Sequence, residues 1–233
     1  MTFSRFVFYC VLLPAAVYAG LTFYPRAYFT QSYGHDNITL HTREPLSEPA
    51  DAVLARISET VAGDDFAEPG RTFEVYLGGG FGGYAFWAPF CGKSYACVHP
   101  LSGKIFVASA DMEKNAAYGP GASMPRRVLE SVIVHEVVKA QIKEKLGVLK
   151  YAALPSWKKD GYAEHIARET SDMNPADICS EDSADNTLIK YMEYRLVMEM
   201  IKAEGDVSYP TLMKENNSDS ASLARLMRKY CNR

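Results

Sequence analysis

The most informative stretch of the chain runs from Arg126 to Leu146 and reads RRVLESVIVHEVVKAQIKEKL. Its apolar residues recur at nearly every angular position of a 3.6-residue repeat, which is typical of a helix buried on all sides. Three ionisable residues nevertheless lie in its middle: His135, Glu136 and Lys139. Buried ionisable groups are costly unless they are paired with one another or with a metal, so the sequence predicts a polar site on this helix.

The spacing of these three residues matches part of a zinc-binding pattern. In HExxH, two histidines one helical turn apart bind zinc, and the glutamate polarises the attacking water. This chain reads His-Glu-Val-Val-Lys, so Lys139 stands where the second histidine is expected. A His-Glu pair on a helix has little specificity when taken alone, because such residues are often structural.

A second segment makes the pattern more specific. Residues 154–167 read LPSWKKDGYAEHIA. They resemble the helix Pro-x-Trp-x-x-Glu-Gly-x-Ala-Glu that follows HExxH in the gluzincin-like metallopeptidases and supplies the third zinc ligand. Twenty residues separate Lys139 from Asp160, which stands at that ligand position.

Further segments are similar to an uncharacterised branch of bacterial membrane-anchored proteins of this class. They are 99–106 (HPLSGKIF), 131–136 (SVIVHE), 145–150 (KLGVLK) and 191–196 (YMEYRL). The resemblance extends from about Tyr33 to Glu204. It implies an α+β, zincin-like fold, in which a small N-terminal mixed sheet is followed by a mainly helical half that carries the motif helix.

The resemblance also implies roles for individual residues. His135 matches the first metal ligand, Glu136 the general base, and Asp160 the third ligand with one methylene less reach. Glu164, one turn after Asp160, is a further candidate ligand. Tyr191 and Tyr194, on the predicted helix 187–204, are candidate donors to an oxyanion in an active relative, with Tyr194 preferred and core packing as the alternative role of both.

Lys139 is the serious departure from the family pattern. A charged ammonium has three donors and no lone pair, so it cannot ligate zinc and it repels a dication. Together with Glu136 and Asp160 it could replace the metal as the charge-neutralising centre. We therefore expect a protein without a cofactor that has lost zinc binding and peptidase activity. It would act as a binding or scaffold module, with a protein or peptide partner at the motif cleft.

Three alternatives stay open at this point. An active zinc metallopeptidase would need Glu164 or another histidine in place of the missing ligand. A different enzyme would use Lys139 as base or nucleophile, activated by desolvation. In the third alternative the resemblance is irrelevant and the residues are structural.

The N-terminal segment differs from the rest of the chain. No charged residue occurs between Arg5 and Arg26, and this length approaches the roughly 30 Å of a bilayer's hydrocarbon core. Val17 and Ala19 fit a signal-peptide cleavage site, but the apolar run continues past it. We predict an uncut anchor that crosses the membrane through residues 6–24.

This anchor divides the chain into residues 1–26 and an exported domain, 27–233, in the periplasm or another extracytoplasmic space. Four cysteines of the exported part form an even set, which allows three disulfide pairings in an oxidising compartment. Proximity in the sequence favours Cys91 with Cys97, and elimination then leaves Cys179 with Cys231. Reduced core cysteines are the alternative.

Composition excludes other classes of protein. The chain has 233 residues, of which 48% are hydrophobic, so it is not disordered, and its net charge of −3 gives no reason to expect a nucleic-acid partner. The glycines of 78–83 contain GxGxxG, but the aromatic residues that follow favour a flexible loop over a dinucleotide site. Residues 111–125 are also predicted to be a loop. We predict strands at 33–42, 71–77, 95–99 and 104–109, and helices at 47–62, 126–146, 156–169, 187–204 and 219–230.

Overall fold

The computed structural model describes residues 8–46, 50–121, 124–180, 186–205, 207–215 and 219–231. The first seven residues of the predicted anchor therefore lie outside the described residues. So do the predicted start of the helix at 47–49 and residues 181–185, which precede the predicted helix 187–204.

Residues 31–107 form a five-stranded mixed sheet, whereas the sequence predicts a mixed sheet of four strands. Its strands are β1 Gln31–His35, β2 Ile38–Thr42, β3 Phe73–Leu77, β4 Ala96–Val98 and β5 Ile105–Val107. Their order is β1-β2-β3-β5-β4, where β2, β3 and β5 are parallel and the two outer strands are antiparallel to their neighbours. A separate antiparallel sheet contains β6 Ser109–Asp111, β7 Ala116–Tyr118 and β8 Arg127–Val128.

Helices make up the second half of the chain, so the structure is α+β. A π-helical turn, Phe8–Leu12, leads into the first α-helix. The described α-helices are α1 Leu13–Phe23, α2 Ala50–Ala62, α3 Phe81–Trp87, α4 Leu129–Leu146, α5 Val148–Ala153, α6 Ser156–Ala167, α7 Thr187–Gly205, α8 Tyr209–Lys214 and α9 Asp219–Cys231. The main predicted helices are thus present, within about three residues at their ends for α4 and α6.

The two faces of the sheet bury different side chains. Val75 and Leu77 of β3 belong to the main core, which they share with α2 and α4. Tyr76 points to the other face, where it packs with Phe106 and Trp87 in an aromatic cluster under α3. The alternation follows from the two-residue period of a strand.

Three predictions of local structure are wrong. The strand predicted at 33–42 is a hairpin, because the chain turns at Asp36, which adopts a left-handed φ of 45° that aspartate tolerates. The loop predicted at 78–83 instead leads into α3, whose Tyr84 and Trp87 are buried, so that packing outweighs the low helix propensity of glycine. The loop predicted at 111–125 contains β7, which is hard to recognise because alanine is uncommon in strands.

Tyr18 and Arg26 of the N-terminal segment contact the part of the chain that follows it. Tyr18 of α1 donates a hydrogen bond to the carbonyl of Phe86 at 2.7 Å, and their rings meet edge to face. Arg26 donates to the carboxylate of Glu74 on β3. Within the part of the chain that the structure describes, none of the helices combines the length and apolar character that a membrane span requires.

Both expected disulfides are present. Cys91 is bonded to Cys97, and Cys179 is bonded to Cys231 across 52 residues. The second bond ties the segment before α7 to the end of α9.

Candidate functional site

The candidate site is centred on α4, the helix predicted from the RRVLESVIVHEVVKAQIKEKL stretch. Almost all of its residues between Leu129 and Ile142 are buried, including His135 and Glu136, which are only 2% and 5% exposed. The helix ends at Gly147, whose φ of 82° is readily adopted by glycine. The site is therefore carried by a rigid central element.

Helix α6 brings the two other carboxylates to α4. A Cβ placed on Gly161 would lie 2.6 Å from the carbonyl oxygen of Tyr194 on α7, so α6 and α7 can approach this closely only with glycine there. The neighbouring Asp160 and Glu164 then face His135 across the helix pair. Packing of these helices places charged groups in the interior.

Lys139 lies between two carboxylates, as the sequence predicts. Its Nζ donates to Oε1 of Glu136 at 3.1 Å and lies 3.4 Å from Oδ1 of Asp160. The other oxygen of Glu136, Oε2, accepts a hydrogen bond from the backbone N–H of Val98 on β4 at 3.2 Å. Glu136 is thus held by two donors from the protein, which occupy the oxygens that a general base would offer to water.

His135 lies between Asp160 and a third carboxylate, that of Glu164. Its Nε2 is 3.5 Å from Oδ1 of Asp160, and its Nδ1 is 3.8 Å from Oε2 of Glu164. Glu164 is fully buried, and its Oε1 accepts the backbone N–H of Thr170 at 2.7 Å. The imidazole stacks on the ring of Tyr191, with 4.8 Å between centroids.

The electrostatics of the cluster favour its charged forms. Burial lowers the pKa of His135, but the carboxylates of Asp160 and Glu164 outweigh it and raise that pKa above its ordinary value. Burial likewise opposes the charge of Lys139, yet Glu136 and Asp160 raise its pKa well above the ordinary value. Burial raises the pKa of Asp160, while His135 and Lys139 lower it to about 2. The site is an ion-pair network rather than a set of neutral ligands.

The described residues do not form a complete zinc site. Asp160 lies at Nε2 of His135 and Glu164 lies at Nδ1, so Glu164 is on the other side of the ring and cannot join Asp160 as a ligand of one ion. Among the described residues, no group of three or more histidine, cysteine, aspartate or glutamate side chains could hold a metal. The Lys139 ammonium also contacts Asp160, the carboxylate at the expected third ligand position.

Lys139 is also poorly suited to act as a base or nucleophile. Catalytic lysines of that kind need a lowered pKa, so that the neutral amine is available at neutral pH. Here Glu136 and Asp160 shift the pKa of Lys139 in the opposite direction.

A small cavity of about 140 Å³ adjoins the network. The residues of the network that line it are His135 and Glu136, and Tyr191 lies beside them. Arg127 of β8 and Ala96 of the edge strand β4 complete this part of the lining. Tyr194 is not among the lining residues, and its ring lies instead 5.8 Å from the ammonium of Lys190. Of the two candidate tyrosines of α7, Tyr191 therefore lies at the site and Tyr194 does not line the cavity.

The sequence did not single out Arg127, which supports the cavity wall. Arg127 and Glu169 form an ion pair whose side chains are 4% and 5% exposed. Glu169 also accepts the backbone N–H of Val128 at 2.9 Å, and the guanidinium of Arg127 lies 5.1 Å from the centre of the Tyr191 ring. A pair of charges 42 residues apart has no local pattern in the sequence that could have revealed it.

Comparison of the chain with protein-family models, with curated proteins and with solved structures found no match.

Proposed function

We propose that this is a membrane-anchored, zincin-like protein that has lost zinc binding and peptidase activity and acts as a binding or scaffold module. The observation that carries the proposal is the ammonium of Lys139, at 3.1 Å from Glu136 and 3.4 Å from Asp160. A cation supplied by the chain neutralises carboxylates that would otherwise require a metal.

The edge of the sheet supports a peptide or protein as the partner. β4 is the last strand in the order β1-β2-β3-β5-β4, and its Ala96 lines the cavity next to His135 and Glu136. An edge strand offers backbone groups to which an extended peptide can add as a further strand, and in β4 Glu136 already takes one of them, the N–H of Val98. The partner would thus bind beside the ion-pair network without being cleaved.

Metal analysis and one substitution test this proposal. Full-length protein purified in detergent should contain no zinc and should not be stabilised by added zinc. Lys139→His removes the repelling charge and places a second histidine one turn after His135, so the variant should bind zinc. Because a ligand of the native state stabilises by mass action, its melting temperature should then rise with zinc concentration.

The matched control is Lys145→His on the same helix. Lys145 is exposed and pairs with Glu68 at 3.2 Å, so this variant makes the same change of residue outside the site. It should gain no zinc-dependent stabilisation. Near-stoichiometric zinc in the parent protein, or equal zinc responses of the two variants, would contradict the proposal.

A further inference from the structure

An apolar surface covers the outside of α3 and of the 3₁₀ turn Pro89–Cys91 that follows it. Tyr84, Trp87 and Ala88 are buried on the inner side. Every exposed residue between positions 82 and 90 is glycine, alanine, proline or phenylalanine: Gly82, Gly83, Ala85, Phe86, Pro89 and Phe90. A surface helix normally presents polar side chains to water, so this outer face, formed by the exposed residues of 82–90, suits an apolar neighbour.

Two phenylalanine rings of the outer face project from the protein. Phe86 is 46% exposed and Phe90 is 68% exposed. Phe90 contacts the ring of His99, with 6.0 Å between centroids, and the disulfide between Cys91 and Cys97 ties its turn to β4. The exposed rings are therefore carried by a fixed part of the structure.

The sequence around the outer face contains no carboxylate. Of the 28 acidic residues of the chain, none occurs between Glu74 and Asp111. Lys93, which follows the outer face, is exposed. Carboxylates are costly in a membrane, whereas a lysine can extend its ammonium to the headgroups while its stem stays in the apolar layer. The charge of this segment thus suits a phospholipid surface.

The contact with α1 sets the depth of the outer face relative to the predicted anchor. The hydroxyl of Tyr18 donates to the carbonyl of Phe86 at 2.7 Å, and the two rings lie 5.4 Å apart. The predicted span ends at Tyr24, and the six residues from Tyr18 to this end correspond to about 9 Å of helix. Interfacial helices bury their apolar face roughly 5–10 Å deep, at the boundary of headgroups and acyl chains. An anchor that crosses the bilayer therefore brings Phe86 to this boundary.

We propose that the outer face inserts into the membrane leaflet next to the exported domain, with Phe86 and Phe90 among the headgroups and upper acyl chains. This inference rests on the anchor in the proposed function, because the anchor supplies the bilayer beside α3. Lys93 also lines the cavity beside the ion-pair network, so the contact holds that cavity close to the bilayer surface. A partner that adds to β4 would then bind at the membrane.

Quenching by brominated phospholipid tests this contact. Full-length protein with Phe90→Trp is reconstituted into phosphatidylcholine vesicles whose acyl chains are brominated near the headgroup. The fluorescence of the added tryptophan should fall at least about twofold relative to vesicles without bromine, because the ring lies at that depth. The signal of the parent, from the buried Trp87 and Trp157, is subtracted.

Ala85→Trp is an independent second reporter on the outer face and should be quenched in the same way. Both replaced side chains are exposed, so neither substitution disturbs the core. The matched control is Tyr230→Trp on α9, which packs on α7 against the main core, on the other side of the sheet from α3. This variant should not be quenched.

Tyr18→Trp separates the failure of this inference from the failure of the anchor. Its tryptophan lies within the predicted span, so it should be quenched wherever the anchor crosses the bilayer. Quenching of Tyr18→Trp without quenching of Phe90→Trp and Ala85→Trp overturns the docking and leaves the anchor in place. Equal quenching of Phe90→Trp and Tyr230→Trp also overturns it. If Tyr18→Trp is not quenched, the anchor is wrong and the inference is overturned with it.

Discussion

In the proposed function, the ammonium of Lys139 supplies the positive charge that a metal ion would otherwise bring to the pocket. A zinc ion can be removed by a chelator and must be acquired from the surroundings, whereas the ammonium of Lys139 is covalently part of the protein. Its fixed stem also orders Glu136 and Asp160 as soon as α4 and α6 pack together. At the scale of the residue, the pocket should therefore be insensitive to chelators.

Lys139→Ala tests how much stability this ammonium supplies. Removal leaves Glu136 and Asp160 without their shared cation, and breaking a buried ion pair costs about 3–5 kcal/mol. Since the side chains of Lys139 and Asp160 are 19% and 17% exposed, we expect the lower end of this range in urea denaturation. Lys145→Ala, which breaks an exposed pair with Glu68, should cost less than about 1 kcal/mol. Similar losses in the two variants would contradict this assignment.

Glu74 makes a separate contribution to stability, which depends on pH. Burial raises the pKa of its carboxyl, but hydrogen bonds from Lys104 and Arg26 outweigh it and lower the pKa to about 2. A carboxyl whose pKa is depressed by folding contributes stability above its unfolded pKa, and the contribution is lost as the pH falls towards 2. Glu74→Gln should therefore lower stability at pH 7 and reduce its loss between about pH 4.5 and pH 2.

The measurement is the free energy of unfolding as a function of pH. Asp160 also has a pKa of about 2, so part of the acid sensitivity should persist in Glu74→Gln. Asp172→Asn, at an exposed position, is the control and should follow the parent curve. An unchanged slope in Glu74→Gln would show that Lys104 and Arg26 do not hold this carboxylate ionised.

At the scale of the element, the long helices were predictable and the short ones were not. α4 extends over 18 residues and α7 over 19, which gives the apolar period enough turns to be recognised. α3, α5 and α8 have only six or seven residues, and their helical state depends on what they pack against. Most strands of the five-stranded sheet could be predicted because they are rich in β-branched and aromatic residues. The alanines of β7 give no such signal.

The candidate site shows the same limit. The sequence allows four residues of the site to be grouped. His135, Glu136 and Lys139 follow the repeat of a single helix, and Asp160 follows the spacing between the two helices of the family pattern. Tyr191 could not be distinguished from a neighbouring tyrosine on α7, since the rotation of that helix is fixed by tertiary packing rather than by its own sequence.

Gly161 is the position at which packing between two helices can be tested directly. A Cβ there would lie 2.6 Å from the backbone oxygen of Tyr194, so Gly161→Ala must push α6 away from α7. We expect a loss of about 1–3 kcal/mol in the free energy of unfolding, the usual cost of overpacking. Gly82→Ala in α3 meets open space and should instead be neutral or add up to about 1 kcal/mol. Equal effects of the two substitutions would refute the close contact.

At the scale of the whole molecule, the described part of the N-terminal segment is in contact with the domain that follows it. Tyr18 contacts Phe86 and Arg26 contacts Glu74, on either side of the predicted cleavage site before Gly20. We expect the chain to remain uncut, so the intact mass of protein extracted from membranes should include α1. A mature terminus at Gly20 would show that the segment is a signal peptide instead.

The bond between Cys179 and Cys231 has a mechanical consequence. It closes a loop of 52 residues, so a force applied to the two ends of the chain passes through the bond and bypasses α7, α8 and most of α9. At about 3.3–3.6 Å per extended residue, roughly 180 Å of contour should stay hidden in the oxidised protein. Single-molecule stretching should release this length only after a reductant is added, and equal contour lengths before and after reduction would show that the bond does not form. Until it is cut, the helices of this loop can lose their structure but cannot be pulled apart.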